Sequence, residues 1–238
     1  MATTATHFAG FPPAAIQFLA DLAQNNDRAW FQPRKAKFER LLKGPMEAMI
    51  AALAVALEAR GVPMLADPMR APFRIYRDTR FSKDKSPYKT HLGATFPWIE
   101  GRPGVEAGGD HDERAHGNGG YFHFEPGEMY VGGGMWHMER PRLEAFRAAV
   151  RDEPDRVRPA LETRAFVEWF GPARGHDELK RIPPGYPQDH PLAEMFRWKD
   201  VVFGRRLSDA EVLSPDLPER LAEGYATAVP VFRFLQGL

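Results

Sequence analysis

The stretch GYFHFEPGEMYVGG, residues 120–133, alternates apolar and polar side chains on both sides of a central Pro-Gly pair. Such alternation is typical of strands with one buried face, and a Pro-Gly pair between two such runs is typical of a turn. The stretch therefore predicts an antiparallel β-hairpin with its tip at Pro126 and Gly127. The predicted register pairs Phe124 with Met129, Phe122 with Val131, and Tyr121 with Gly132.

This hairpin has one apolar face, which we expect to join the core, and one polar and aromatic face. The apolar face carries Phe122, Phe124, Met129 and Val131. The opposite face carries Tyr121, His123, Glu125, Glu128, Tyr130 and, beyond the hairpin, Trp136. Three successive glycines, residues 132–134, leave the second strand without side chains, which marks a bulge or the close approach of another element.

Two segments before the hairpin alternate in the same way and predict further strands: FRIYRDTRF, residues 73–81, and YKTHLGATFPWI, residues 88–99. A loop rich in glycine and charge, about residues 100–120, separates them from the hairpin, and we expect it to be mobile. The predicted sheet is antiparallel and covers about residues 72–136.

Apolar residues recur at helical spacing on both sides of this sheet, over residues 11–61 and 140–236. Strands in the middle and helices at both ends predict an α+β fold, in which N-terminal and C-terminal helices pack on a central antiparallel sheet. We expect a single domain over residues 1–238. Two helix starts have the spacing of a capping box: Ser208 with Glu211, and Asp216 with Glu219.

Composition and missing motifs limit the classes of function. Lys and Arg total 32, as do Asp and Glu, so no protein-wide positive field favours nucleic acid. Cysteine is absent, which excludes disulfides, thiolate nucleophiles and cysteine-ligated metals. The motifs of common NTPases, serine hydrolases, zinc proteases and dinucleotide-binding enzymes are missing. The sequence has neither a signal-peptide pattern nor an apolar run of about 18 residues, so we expect a cytoplasmic protein without a membrane partner.

Positive charge is concentrated in RIYRDTRFSKDKSPYKTH, residues 74–91. Together with the four residues before it, this stretch contains seven Lys or Arg and two Asp. As a strand, it would place Asp78 between Arg74 and Arg80 on one face. Arg77 would then lie among apolar side chains, where a guanidinium needs a carboxylate or a bound anion.

We expect this patch to hold a small anionic ligand, because guanidinium groups pair bidentately with phosphate or carboxylate. In this hypothesis the cations hold the anion, Asp78 orients the arginines, and aromatic rings line the pocket. The ligand could be a phosphate-bearing metabolite or a nucleotide, and no cofactor is expected. The candidate ligand-binding residues are Arg74, Arg77, Asp78, Arg80, Lys85, Tyr88 and Trp136.

Proton transfer to such a ligand is assigned to His123 and Asp84 as the catalytic candidates, and His91 is a second imidazole that alternation turns toward the same face. Four potential metal ligands lie close together in the glycine-rich loop: His111, Asp112, Glu113 and His116. Nothing in that loop would hold them rigidly, so we expect no metal site.

The basic stretch also resembles the signature of an uncharacterised family of conserved hypothetical proteins, Arg-x-x-Arg-Asp-x-Arg-Phe followed by an Asp/Asn-Lys pair and a Tyr. The matching positions are Arg74, Arg77, Asp78, Arg80, Phe81, Asp84, Lys85 and Tyr88. Three other segments are similar to the family: FLADLAQNNDRAWF, GGGMW and PPGYPQDHP. The loop from about Glu100 to Gly120 is longer than the family usually has. The resemblance covers most of the chain and implies no activity, because none is established for the family.

Two alternatives to an anion site stay open. The patch is also compatible with a docking surface for a protein or nucleic acid, in which SKDKSPYK is an exposed basic loop without chemistry. The charges can equally form a structural network of exposed ion pairs, each contributing about 0–1 kcal/mol. Salt separates a polyanion from a small ligand, because counterion release makes polyanion binding fall steeply with salt.

Overall fold

The computed structural model describes residues 7–101 and 117–238 and has the expected α+β fold. The N-terminal helices are α1 (Ala14–Gln24), α2 (Arg28–Phe31), α3 (Lys35–Phe38) and α4 (Gly44–Ala59), with a 3₁₀ turn at Gln32–Arg34 and a π-helical turn at Glu39–Lys43. The C-terminal helices are α5 (Arg140–Asp152), α6 (Pro154–Leu161), α7 (Arg164–Phe170), α8 (Asp209–Leu213), α9 (Leu217–Thr227) and α10 (Val229–Gln236), with a 3₁₀ segment at Ala193–Arg197. None of the helices in the described ranges is long and apolar enough to cross a membrane.

The sheet has four antiparallel strands in the order β1-β2-β3-β4. Their bounds are β1 Leu92–Pro97, β2 Asn118–Glu125, β3 Glu128–Met135 and β4 Val201–Arg206. The β2–β3 hairpin has the predicted register: Phe124 pairs with Met129, Phe122 with Val131, and Tyr121 with Gly132. Local alternation and one turn were sufficient to predict this hairpin.

Strand β4 corrects the prediction that residues 140–236 are helical throughout. It pairs with β3 along the glycine run, where Gly132 lies opposite Gly204 and Gly133 opposite Phe203. A Cβ added to Gly132 would meet the backbone of β4, because the Phe203 carbonyl oxygen occupies that space. The close approach that the glycines indicated is therefore the approach of a fourth strand.

The segment 73–81 is not a strand, which contradicts the prediction made from its alternation. Within it, Tyr76 forms an isolated bridge with Tyr88, and Pro72, just before the segment, forms another with Ala94. Residues 74–91, called the basic arm below, instead fold back on themselves in an irregular hairpin beside β1. Phe81, which a strand would place on the same face as Phe73 and Ile75, is 94% exposed.

The apolar face of the hairpin is buried, as predicted. Phe122, Phe124 and Val131 have no exposed surface. The Phe11 ring from the N-terminal region lies 4.8 Å from the ring of Phe124, and helix α10 packs on β2 and β3. Because the helices cover this face, the polar and aromatic face of the hairpin points to the opposite side of the sheet.

One of the two predicted capping boxes is present. Ser208 accepts from the backbone N–H of Glu211, whose side chain accepts from the N–H of Ser208. Asp216 makes no side-chain cap bond, because its backbone is already helical. Glu211 also accepts hydrogen bonds from Arg205 at 2.7 Å and Arg220 at 2.9 Å, so this cap is the centre of an ion-pair network that joins β4 to α8 and α9.

We expect Glu211→Gln to remove a pH-dependent part of the stability. Burial alone would raise the pKa of Glu211, but hydrogen bonds from Ser208 and Arg205 lower it to about 2. The ionised carboxylate therefore stabilises the fold above its ordinary pKa of 4.5, and this contribution is lost as the pH falls toward 2. With solvent screening around the partly exposed arginines, the contribution is about 1–2 kcal/mol.

Urea unfolding at pH 7 and pH 3 measures this contribution. The wild type should lose more free energy of unfolding between the two pH values than Glu211→Gln. Glu144→Gln, which removes the carboxylate of an exposed pair with Arg140, is the control and should behave as the wild type. An equal loss in the wild type and Glu211→Gln would contradict the role assigned to Glu211.

Candidate functional site

The basic arm is attached to the N-terminal helices through Asn26, which lies between α1 and α2. The Asn26 side chain donates to the carbonyl oxygen of Tyr88 at 2.9 Å and accepts from the Tyr88 N–H at 3.0 Å. The Tyr88 ring stacks on Phe31 with centroids 4.1 Å apart and is 1% exposed. Tyr88, predicted to line a ligand pocket, is thus also a core residue that fixes the arm.

The predicted ligand residues Asp78 and Arg80 pair with each other in the exposed part of the arm. Arg80 donates to the Asp78 carboxylate from Nη2 at 2.7 Å, and from Nε and its backbone N–H at 3.1 Å. These hydrogen bonds lower the pKa of Asp78 to about 2. Nearby, Lys85 Nζ donates to the carbonyl oxygen of Thr79 at 2.8 Å. These contacts stabilise a local turn.

Asp84, predicted to transfer protons, has three hydrogen-bond donors within the arm. Its carboxylate accepts from the N–H of Ser86 at 2.9 Å, from the Ser86 hydroxyl at 2.6 Å, and from Arg77 Nη1. The bonds from Ser86, followed by that from Arg77, hold the pKa of Asp84 well below its usual range. A carboxylate held in this way is a weak base at neutral pH.

Arg74, Lys83 and Lys89 are the cations of the arm with no hydrogen bond or ion pair to any residue in the described ranges. Lys89 is half-buried and lies over the Phe73 ring, 4.8 Å from its centroid. Burial, with a smaller effect of the Arg74 charge, lowers the pKa of Lys89 to about 8. Arg74 is exposed. The arm therefore contains a partly desolvated ammonium that lacks an acceptor within residues 7–101 and 117–238.

Lys89 lies in the wall of a cleft of about 350 Å³ between the basic arm and α1. The lining residues are Ala23, Asn26, Arg77, Asp84, Ser86, Tyr88, Lys89, Thr90 and His91. Three of the predicted site residues, Arg77, Asp84 and Tyr88, are therefore brought together in one concave surface.

Beside this cleft, the polar face of the hairpin carries a hydrogen-bonded cluster around His123. The His123 Nδ1 lies 2.8 Å from the Tyr121 hydroxyl, and its Nε2 lies 3.2 Å from Glu125 Oε2. The His91 ring stacks on His123 with centroids 4.6 Å apart, and Thr90 donates to Glu125 Oε1 at 2.7 Å. His123 is 7% exposed. Its contact with the cleft is indirect, through the His91 ring that lines the cleft and stacks on it.

Two pKa values in this cluster are shifted. Burial, with a smaller contribution from the neighbouring His123, lowers the pKa of His91 to about 4, so the imidazole is neutral at pH 7. Burial alone would raise the pKa of Glu125, but hydrogen bonds from Thr90 and His123 lower it. At neutral pH the cluster therefore presents a neutral imidazole beside an ionised carboxylate.

Trp136 is not part of this arrangement. Its ring contacts His137 and His176, with centroids 5.0 Å and 4.4 Å away, just beyond the end of β3 opposite the hairpin tip. The loop cluster from His111 to His116 lies outside the described residues.

Asn26 and Lys89 were not among the predicted site residues. Lys89 was counted in the local charge excess. Nothing in its sequence position distinguishes it from Lys85, which donates to the Thr79 carbonyl oxygen. Asn26 lies in the segment FLADLAQNNDRAWF, whose resemblance to the family was the one signal that drew attention to it.

A family model described as "Conserved hypothetical protein (DUF2461)" matches residues 14–234. The matched range includes α1, the basic arm and the hairpin. No curated protein and no solved structure matches the chain.

Proposed function

The chain belongs to the DUF2461 family of conserved hypothetical proteins, and because that description assigns no activity, we propose from the site alone that the protein binds a small anionic molecule in the Lys89 cleft. The observation that carries the proposal is the half-buried Lys89 ammonium, which has no acceptor among the described residues. A charged group removed from water without a partner is costly, and a bound anion would remove that cost.

Two guanidinium groups support an anion at this position. Arg77 lines the cleft, and Arg74 is close enough to Lys89 to lower its pKa. The planar guanidinium of Arg77 already pairs with Asp84 and also contacts the carbonyl oxygen of Ser86 at 3.3 Å, so its orientation is fixed. In this proposal Lys89 supplies the main charge, while the arginines add a positive field and fixed donors.

The size of the cleft favours a small ligand. Its volume of about 350 Å³ is near the lower end of the range of about 300–1,000 Å³ that is typical of ligand pockets. A phosphate or carboxylate on a compact molecule would fit. Thr90 and His91 add a hydroxyl and a neutral imidazole to the wall, and these groups can hydrogen-bond the uncharged part of such a ligand.

We expect inorganic phosphate, small phosphate esters or small carboxylates to raise the melting temperature, and Lys89→Met to abolish that rise. A ligand present at 100 times its Kd stabilises the native state by about 2.7 kcal/mol, which corresponds to several degrees. Methionine preserves the apolar contact with Phe73 while removing the charge. The stabilisation should also weaken above about pH 8, where Lys89 loses its proton. Differential scanning fluorimetry in a phosphate-free buffer measures these effects.

The matched control is Lys83→Met, which removes an exposed lysine from the same arm and should leave the response unchanged. No response of the wild type to any of these anions, or an equal response of Lys89→Met, would contradict the proposal. A change of ionic strength from low to moderate should have little effect on a half-buried anion site.

A docking surface remains a second candidate function because of Phe81, which is 94% exposed in the most basic part of the arm. The Arg80 guanidinium lies 5.8 Å from the Phe81 ring centroid, and Lys83 and Lys85 are also exposed. An exposed ring among cations suits stacking or packing against an acidic macromolecule. This alternative predicts a response to oligonucleotides or acidic proteins that falls steeply with salt and is lost in Phe81→Ser, while Lys89→Met retains it.

A further inference from the structure

Three side chains that commonly bind metal ions converge on the polar face of the sheet: His91, His123 and Glu125. One ligand atom from each lies within 4.8 Å of the other two. Sheet pairing brings them together. Leu92 pairs with Phe124, which places His91 opposite Glu125. His123 lies two residues before Glu125 and therefore on the same face of the sheet. The sequence-based expectation of no metal site considered a different group of residues, those in the glycine-rich loop.

The distances suit a small divalent ion. Ligand atoms about 2.0–2.1 Å from a tetrahedral ion are about 3.3 Å apart, and His123 Nε2 lies 3.2 Å from Glu125 Oε2. These two atoms are therefore already at the spacing of two ligands around one ion. The three ligand atoms lie within 4.8 Å of one another, so the third ligand needs a shift of about 1.5 Å by the His91 ring, which lies in the wall of the cleft.

The supporting hydrogen bonds also match those around metal ligands. In metal sites a ligating histidine usually bonds through its other ring nitrogen to an oxygen atom, which fixes the ring and its tautomer. Here the Tyr121 hydroxyl lies 2.8 Å from His123 Nδ1, which leaves Nε2 directed at Glu125. Thr90 donates to the Glu125 oxygen that does not face His123, so both ligands have an outer partner.

We propose that His91, His123 and Glu125 bind one divalent transition-metal ion of the kind that prefers imidazole and carboxylate ligands, with Zn²⁺ as the reference ion. Two histidines and one carboxylate leave at least one coordination position open, as in catalytic rather than structural sites. The proposed site adjoins the cleft, because His91 forms part of the cleft wall. A bound ion would give the cleft a second centre for an anion, but the metal site stands without the anion proposal.

The test is equilibrium dialysis of the full chain, first stripped with a chelator, against Zn²⁺ in a phosphate-free buffer. Co²⁺ is the second probe, because its visible absorption reports ligand type and geometry. The wild type should bind about one tight equivalent. Glu125→Gln and His91→Asn should each weaken binding by more than the ~10–100-fold loss expected for Tyr121→Phe, which removes an outer partner alone.

Glu128→Gln is the matched control, since this exposed glutamate lies opposite Glu125 across the hairpin tip and outside the cluster. It should bind as tightly as the wild type. Absence of a tight equivalent in the wild type would overturn the proposal, as would binding that survives in both Glu125→Gln and His91→Asn. If His91→Asn does not fold, Glu125→Gln decides, because glutamine still accepts from Thr90. Lys89→Met should retain Zn²⁺, which separates this proposal from the anion site.

Discussion

Gly134→Ala is expected to destabilise the protein by about 3 kcal/mol or more, through two effects that act at one position. Gly134 has a φ of +121°, a conformation that side-chain-bearing residues rarely adopt and that costs about 1–3 kcal/mol. A Cβ there would also collide with the carbonyl oxygen of Val201 and lie 2.9 Å from the Cα of Val202. These are backbone atoms of β4, so relief requires the two strands to separate.

Gly127→Ala is the control that separates the two effects. Gly127 at the hairpin tip has a φ of +79°, but apart from its two chain neighbours no heavy atom of the described residues lies within 4 Å of the position that a Cβ would occupy. It should therefore cost about 1 kcal/mol from backbone strain alone. Urea unfolding of both variants measures the difference. An equal loss of stability at the two positions would show that β4 can shift at little cost. The close contact of β3 and β4 along the glycine run would then contribute little to stability.

The hairpin could be predicted in register because all the information lies within a few residues. Phe122, Phe124 and Val131 fix which face is buried, and the Pro-Gly pair fixes where the chain turns. Strand β4 could not be predicted in this way. Its position depends on contact with glycines about 70 residues earlier in the chain, and its own apolar run, Val201–Phe203, is too short to identify a strand.

The basic arm was misread because alternation there comes from turn residues and not from a sheet. Asp78 and Asp84 accept hydrogen bonds from backbone N–H groups two residues further along, at Arg80 and Ser86. Short acidic side chains that bind nearby backbone groups compete with strand pairing. A strand and a series of turns can show the same alternation of side chains, so periodicity alone could not distinguish the two structures.

The sequence shows that the cations are concentrated in the arm, but it does not show how each one is paired. That pairing depends on the fold. Arg80 and Lys85 form hydrogen bonds within the turn, while Lys89 has no acceptor among the residues that the structure describes. The absence of a contact cannot be read from local sequence, because it depends on every element that packs nearby.

Tyr88→Ala is expected to cost about 3–5 kcal/mol, the range found when a large buried ring is truncated. The Tyr88 ring is 1% exposed, stacks on Phe31 at 4.1 Å and contacts the Tyr76 ring at 5.4 Å. Its backbone carbonyl oxygen accepts from the Asn26 side chain, and its N–H donates to the same side chain. Loss of the ring would therefore leave a cavity where the basic arm meets the helices, and the cleft should lose its shape together with stability.

Tyr88→Phe removes the hydroxyl alone. The hydrogen bond that this hydroxyl accepts from Gln32 Nε2 is long at 3.4 Å, so the substitution should cost less than about 1 kcal/mol. Tyr76→Ala removes the more exposed of the two contacting rings and should cost about 1 kcal/mol, as a control for truncation of an aromatic residue in the same arm. Urea unfolding measures stability, and the melting-temperature rise with phosphate measures binding. If Tyr88→Phe kept full stability but lost the phosphate response, the hydroxyl would be a ligand contact, and the assignment of Tyr88 as mainly a core residue would be wrong.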